Sequence, residues 1–111
     1  DLCKAVAAAI FGDASLVNYI PTTGQTRFTA LAAGEVDMLA RNSTWTFSRD
    51  TDLKLDFVAV NYYDGQGFLA PAALGVSSAT ELDGATVCIQ TGTTTELNLA
   101  DFFRVNGISY E

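Results

Sequence analysis

The segment VDMLARNSTWTFSRD, Val36–Asp50, joins a short apolar run to small polar side chains and ends with an arginine. An apolar run such as Val36–Ala40 is typical of a strand buried in a parallel sheet. The residues after it carry hydroxyl and amide groups, and the Arg49 guanidinium can hold a carboxylate by two parallel hydrogen bonds. The segment therefore predicts a strand that leads into a binding loop for a small anion, although Arg49 could instead be a surface charge paired with Asp50 or Asp52.

The elements around this segment alternate between helix and strand, which indicates an α/β fold. Upstream, apolar residues at four-residue spacing predict a helix that begins at Asp1 or Leu2 and ends at Gly12. The remaining predicted elements are a strand at Leu16–Ile20, a helix from Thr22 or Thr23 to Ala33, extended segments at 55–63 and 66–71, a short helix around Leu82, a strand at Ala85–Ile89, a helix from Thr93 to Gly107 and a strand at Ile108–Tyr110. The pattern divides the chain near Gly67, into residues 1–66 and 67–111.

Composition excludes several classes of protein. The chain has 6 Lys and Arg against 13 Asp and Glu, a net charge of −7, so it has no basic stripe for nucleic acid or an anionic membrane. It contains no histidine, which excludes Ser-His-Asp and Cys-His catalysis within the chain. We predict no catalytic residue, no metal site and no cofactor, since Asp37, Asp50 and Asp52 also have no recognisable acid–base partner.

The two cysteines and the N-terminus give weaker indications. A disulfide between Cys3 and Cys88 is conceivable, but two free, buried thiols are the expectation. The residues Asp1–Lys4 do not have the pattern of a signal peptide, and the chain begins as though inside a helix start. We therefore expect that residues upstream are missing.

A second anion site is predicted at the start of the last long helix. Thr93-x-x-Glu96 matches a capping box, and a helix start presents unpaired N–H groups and a partial positive charge. Capping boxes are common and most bind nothing, so this motif alone predicts only a capped helix. Together with Arg49, however, it places one carboxylate-binding element near a strand end in each half of the chain, where open α/β sheets bind ligands.

These segments resemble the middle of the type II periplasmic substrate-binding proteins of polar and general L-amino-acid ABC transporters. The matching pieces are DLCKAVAAAIFGD, QTRFTALAAGEVDMLARNSTWTFSRD, FVAVNYYDGQGFLAP and ELDGATVCIQTGTTTELNLADFF. They cover nearly the whole chain in the order of the family, and the pair NSTWTFSR and TGTTTE is the most specific part.

The resemblance implies a periplasmic receptor without enzymatic activity, whose two α/β lobes, joined by a hinge, close on an amino acid and present it to a membrane permease. It implies that Arg49 binds the ligand α-carboxylate, with the hydroxyl and backbone of Thr44 beside it. The carbonyl of Asn42 would help to hold the ammonium group. The second lobe would add an N–H from Thr93, with Thr94 nearby, and the hinge crossing would fall at Gln66, Gly67 and Phe68.

The sequence departs from the family in several places. It lacks the first strand, the aromatic residue that covers the ligand, the acidic residue that pairs with the ammonium and the returning hinge strand. Both lobes are therefore expected to be incomplete, and identical copies could complete them by exchanging elements. Trp45 stands where smaller apolar residues are common, and either forms a pocket wall or packs under the loop.

Two other functions remain open. A periplasmic dehydratase has a similar scaffold, but it needs a general acid or base that this segment does not offer. A ligand-binding sensor domain is the second alternative.

Overall fold

A computed structural model describes all residues from Asp1 to Glu111, which form two compact units, Asp1–Val58 and Ala59–Glu111. The division lies upstream of the one predicted between residues 66 and 67. Residues 59–66 therefore belong to the same compact unit as the last long helix.

The first unit contains three helices. Helix α1, Leu2–Phe11, has the predicted bounds and ends at Gly12, whose φ of 73° is in the left-handed region that favours glycine. Helix α2, Arg27–Ala32, is shorter than predicted. Before it, the hydroxyls of Thr23 and Thr26 each accept the backbone N–H of the other residue, at 3.1 and 3.0 Å, so a hydroxyl-bonded turn takes the place of the first predicted helical turn.

Helix α3, Phe47–Thr51, was not predicted and lies inside the segment interpreted as a loop. Thr46 is its N-cap, and the threonine hydroxyl accepts the backbone N–H of Arg49 at 3.3 Å. A hydroxyl at this position satisfies one of the N–H groups that a helix start leaves without a partner. This cap places Arg49 on the third residue of the helix.

The second unit is built around helix α4, Thr94–Asn106, which agrees with the predicted helix and ends at Gly107 with a φ of 65°. Two short 3₁₀ helices precede it, Ala72–Leu74 and Ala79–Glu81. Its core consists of Leu82, Leu99 and Phe103, and the Phe103 ring is completely buried.

The segments predicted as strands at Ala85–Ile89 and Ile108–Tyr110 meet at a single β-bridge. Ala85 and Tyr110 form a parallel bridge, supported by hydrogen bonds from Val87 N–H to the Glu111 carbonyl at 2.8 Å and from Glu111 N–H to the Ala85 carbonyl at 3.1 Å. Helix α4 lies between the two segments in the chain, so the second unit contains the core of a βαβ unit.

The other predicted strands, at 16–20, 36–40, 55–63 and 66–71, do not take part in any β-ladder. A strand becomes part of a sheet only when a second strand lies within hydrogen-bonding distance along it. In doubly wound sheets, strands that follow one another in the chain often flank a third strand and do not pair with each other. The apolar runs thus indicate which residues suit a sheet but do not supply their partners.

The chain leaves much apolar surface uncovered. Its accessible surface is 8433 Å², whereas a folded monomer of 11.8 kDa exposes about 5,900 Å² and two separate globules of half that mass about 7,100 Å². The accessible surface of this chain exceeds both values, so the excess does not depend on how the two units are placed. Apolar side chains with more than half of their surface exposed include Leu16, Tyr19, Val58, Tyr62, Tyr63 and Leu69.

The two cysteines form no disulfide with each other. Cys3 and Cys88 are both free, as expected, but Cys3 is only half-buried and Cys88 is exposed, so the expectation of buried thiols is wrong. The physical reason is that the segment around Cys88 packs only its alternate residues, Val87 and Ile89, against the core.

None of the helices has the length and apolar character required to span a bilayer.

Candidate functional site

Arg49 is a buried cation held by its own loop. Its guanidinium donates through Nη1 to the Thr44 carbonyl at 2.8 Å and lies with Cζ 4.9 Å from the centre of the Phe28 ring. Burial, which leaves 9% of the residue exposed, lowers the pKa of Arg49 because it disfavours the charged form. Desolvated guanidinium is a strong binding partner for a carboxylate, provided that one end of the group can be reached.

The alternative interpretation of Arg49 as a surface charge paired with its acidic neighbours is wrong. Asp50 accepts a hydrogen bond from the Trp45 indole N–H at 2.8 Å, and Asp52 accepts one from the Thr51 hydroxyl at 3.1 Å. Both carboxylates are thus directed to other donors. The positive charge of Arg49 is not neutralised by the acids closest to it in the sequence.

The structure brings Arg49 and Thr44 together through the carbonyl of Thr44, and that the two residues bind one ligand stays a prediction. Asn42 and Thr44 are exposed and lie on the same short loop. Between them, the Ser43 hydroxyl oxygen is buried and has no hydrogen-bond partner. Burying an unpaired hydroxyl costs about 1–3 kcal/mol, and such groups are found where a ligand or a water is expected. Sequence reasoning included Ser43 in the polar loop but did not assign it a role.

Trp45 packs flat against Phe57, with ring centroids 5.3 Å apart and planes inclined by 10°. Its indole N–H is used by Asp50, and about half of its surface is exposed. The stacking favours the interpretation that Trp45 supports the loop. A role as a pocket wall stays a prediction.

Arg27 is a second buried cation, which sequence reasoning missed. Only 1% of the residue is exposed, its Nη1 donates to the Gly24 carbonyl, and Cζ lies 4.3 Å from the centre of the same Phe28 ring that Arg49 contacts. Burial, and the nearby charges of Arg49 and Arg41, lower the pKa of Arg27. The sequence holds one indication that Arg27 is buried. Arg27 precedes Leu31 by four residues, so the two side chains lie on the same face of the helix.

The start of helix α4 forms the predicted capping box with one change. The Thr93 hydroxyl accepts the Glu96 N–H at 3.3 Å and donates to the Gln90 carbonyl at 2.6 Å. The Glu96 carboxylate accepts the N–H of Gly92 at 2.9 Å, whereas in the usual box it accepts the N–H of the N-cap residue itself. Because the cap uses the Thr93 hydroxyl, the backbone of Thr93 is the part of this residue that can bind a ligand. Thr94, the first residue of the helix, is half-buried beside it.

Replacing Thr93 with alanine is expected to lower the free energy of unfolding of the second unit by about 1 kcal/mol, the usual effect of losing a hydroxyl N-cap. Thr93→Ser retains the hydroxyl and should change stability much less. Urea denaturation followed by circular dichroism measures both variants. Equal losses for alanine and serine would contradict a capping role for the hydroxyl.

The predicted hinge residues Gln66 and Phe68 contact helix α4. The Gln66 amide donates to the Thr95 carbonyl and accepts from the Asn98 side chain, both at 3.1 Å. The Phe68 ring lies parallel to Phe103, with centroids 5.6 Å apart. Whether the segment Gln66–Phe68 works as a hinge stays a prediction.

The Gln66 contacts give a second stability prediction. Gln66→Glu removes the amide donor to the Thr95 carbonyl and places a negative charge against that oxygen, so we expect the unfolding free energy to fall by about 1–2 kcal/mol. Gln90→Glu, in the same unit, introduces the same charge where no side-chain bond to a carbonyl is lost. A fall of equal size in both variants, measured by urea denaturation, would show that charge alone is responsible.

Comparison with known proteins identifies relatives over almost the entire chain, although no family model matches it. The chain is 73% identical over 109 residues to the glutamate/glutamine/aspartate/asparagine-binding protein BztA of Rhodobacter capsulatus. It is 58% identical over 110 residues to the general L-amino acid-binding periplasmic protein AapJ of Rhizobium johnstonii and to the putative amino-acid ABC transporter-binding protein YhdW of Escherichia coli K12. These alignments cover 98–99% of the chain but 32% of each relative.

A solved structure agrees with these relatives. An ABC transporter periplasmic binding protein from Brucella ovis with glutathione bound superposes with a TM-score of 0.92 at 57% identity, over 98% of this chain and 35% of that one. The chain thus spans about a third of the length of the proteins that it matches. The resemblance predicted from NSTWTFSR and TGTTTE is confirmed: over nearly its whole length, the chain corresponds to a segment of the periplasmic amino-acid-binding proteins of ABC transporters.

Proposed function

We propose that the chain is part of a receptor that binds an amino acid in the periplasm and delivers it to the membrane permease of an ABC transporter. The observation that carries this proposal is the buried Arg49 guanidinium, whose charge is not neutralised by the neighbouring acids and whose Nη1 is fixed by the Thr44 carbonyl. A preorganised cation of this kind is suited to a ligand carboxylate. The names of the relatives, which bind amino acids, support the same ligand class.

In the proposed complex, Arg49 and the backbone N–H at the Thr93 helix start hold the ligand α-carboxylate. Thr44 contributes its hydroxyl or N–H, the Asn42 carbonyl accepts from the ammonium group, and Thr94 lies near the carboxylate. The Ser43 hydroxyl, which is buried without a partner, is a further candidate to contact the ligand.

The finer architecture is also part of the proposal. Residues 1–66 and 67–111 would be parts of the two lobes of a type II binding protein, and the crossing at Gln66–Phe68 would be the hinge. Ligand binding favours closure only to the extent that the closed form binds the ligand better than the open form. Exchange of elements between copies stays a prediction, and light scattering that finds only monomer would contradict it.

Binding without chemistry is favoured over the enzyme alternative. The relatives are binding proteins, and the acids Asp50 and Asp52 are engaged by Trp45 and Thr51. A dehydratase would need a general acid or base at the site. No observation favours the sensor domain over the transport receptor.

The test uses a hybrid receptor, in which this chain replaces the 109 matching residues of the R. capsulatus relative. Calorimetry compares L-glutamine with L-glutamine α-amide, in which the α-carboxylate is converted to a neutral carboxamide. Loss of a charge-assisted contact predicts binding weaker by about 10- to 150-fold for the amide. Equal affinities would overturn the proposed carboxylate site. Retained cooperative unfolding of the hybrid provides the control for folding.

A further inference from the structure

The contact between Trp45 and Asp50 changes the surroundings of Arg49. The Trp45 indole N–H donates to the Asp50 carboxylate at 2.8 Å, and Nη1 of Arg49 donates to the Thr44 carbonyl, also at 2.8 Å. Two adjacent side chains of helix α3 therefore turn back to partners that stand five residues earlier and are themselves neighbours in the chain. Asp50 is thus the acid next to Arg49 in the sequence, but its carboxylate is bonded to an aromatic ring.

Without the indole, Asp50 would have Arg49 as its nearest cation in the sequence. The Cα atoms of adjacent residues are about 3.8 Å apart, and a guanidinium offers five donors on a long side chain. Burial lowers the pKa of Arg49, whereas a carboxylate in contact would raise it, so the desolvated guanidinium would gain from such a pair. Adjacent side chains diverge on a helix, which makes the pair a weak one that a single competing hydrogen bond can prevent.

The indole that bonds Asp50 is itself fixed in place. The Trp45 ring is stacked on the Phe57 ring, with centroids 5.3 Å apart and planes inclined by 10°. This stacking orients the ring, so its N–H points in a defined direction. About half of the surface of Trp45 is exposed, and the residue therefore contributes little to a closed core. Its position suits the holding of a carboxylate better than the filling of space.

We propose that Trp45 is a positioning residue, whose indole N–H holds the Asp50 carboxylate away from Arg49 and so keeps that guanidinium available to a ligand carboxylate. This inference rests on the proposed function, because it concerns the same carboxylate site. A carboxylate of the chain that pairs with Arg49 competes with the ligand. The apparent affinity is then reduced to the fraction of the receptor in which Arg49 is unpaired.

The first variant is Trp45→Phe in the hybrid receptor, which keeps an aromatic ring to stack on Phe57 but removes the N–H. A weak internal pair, of the strength found at protein surfaces, predicts that L-glutamine binds about 3- to 6-fold more weakly. Calorimetry measures the affinity, and thermal unfolding followed by circular dichroism shows that the variant is folded. Full affinity in Trp45→Phe would overturn the proposal.

The decisive variant combines Trp45→Phe with Asp50→Asn. Asparagine carries no charge and does not compete for Arg49 as a carboxylate does, so the combined variant should regain the affinity of the unaltered receptor. This rescue separates competition from a structural role. If Trp45 lined the pocket or only supported the loop, the loss would persist in the combined variant, and the proposal would be overturned.

A second replacement makes the test independent of whether Trp45→Phe folds. β-(3-Benzothienyl)alanine in place of Trp45 has nearly the size and shape of tryptophan, with a sulfur atom where the N–H would be. The same weaker binding is expected, with the same recovery on adding Asp50→Asn, and unchanged affinity would overturn the proposal. Failure of the proposed function looks different, because the unaltered receptor would then bind L-glutamine and its α-amide equally.

Discussion

Replacing Arg49 with alanine is expected to weaken amino-acid binding by the hybrid receptor at least about 30-fold. Truncating one partner of a buried, hydrogen-bonded charge pair typically costs 2–5 kcal/mol, and the ligand carboxylate would be left without its cation. Calorimetric titration with L-glutamine measures the loss. The variant also loses the bond to the Thr44 carbonyl, but it removes a desolvated charge, so stability should change less than affinity.

The matched control is Arg49→Lys, which retains the charge but cannot form two parallel hydrogen bonds to a carboxylate. It should bind with an affinity between those of the arginine and alanine forms. Arg104→Ala provides a second control, because Arg104 is exposed and pairs with Asp101 on the surface of helix α4. Full affinity in Arg49→Ala, or an equal loss in Arg104→Ala, would contradict the assigned role of Arg49.

Replacing Phe103 with alanine is expected to have the largest effect on stability, a loss of about 3–5 kcal/mol. The ring is fully buried and contacts the rings of Phe68, Phe102 and Tyr110 at centroid distances of 5.6, 5.9 and 4.9 Å. It thus joins helix α4 to the segments on either side of it. Since whole domains are stable by only about 5–15 kcal/mol, the second unit should lose cooperative unfolding.

Phe102→Ala is the control for Phe103, because it removes the same side chain from the neighbouring position of helix α4. Its ring is 38% exposed, so it should cost clearly less stability. Chemical denaturation monitored by far-ultraviolet circular dichroism compares the two variants. Equal losses would contradict the expectation that the core of the second unit depends more on Phe103 than on Phe102.

The helices with strong local signals were predictable from the sequence. Helix α1 has a glycine that ends it, and helix α4 has both the Thr93–Glu96 cap and Gly107. Helix α3 was missed because five residues are too few for an apolar period, and its Thr46 cap lies inside a run of hydroxyl residues. The strands were predicted as sheet elements, but pairing depends on a partner that an apolar run does not specify.

The types of residue in the candidate site were predictable from the sequence, but the burial of their side chains was less so. Arg49 and Thr44 were identified together because a guanidinium near a hydroxyl loop suits a carboxylate, and the structure joins them by a hydrogen bond. The burial of Arg27 was not predicted, since arginines are usually exposed and only tertiary packing on Phe28 encloses this one. Whether Arg49 and Thr93 hold the same ligand depends on how distant parts of the chain are arranged, which local patterns do not encode.

The Gln66 side chain fixes the segment around it to helix α4 within the second unit. The Gln66 amide donates a hydrogen bond to Thr95 and accepts one from Asn98, both in the first turns of helix α4, and the Phe68 ring stacks on Phe103 of the same helix. A segment fastened in this way turns together with the helix and resists torsion of its own backbone. A hinge at Gln66–Phe68 would therefore carry the start of helix α4 with it as one rigid body.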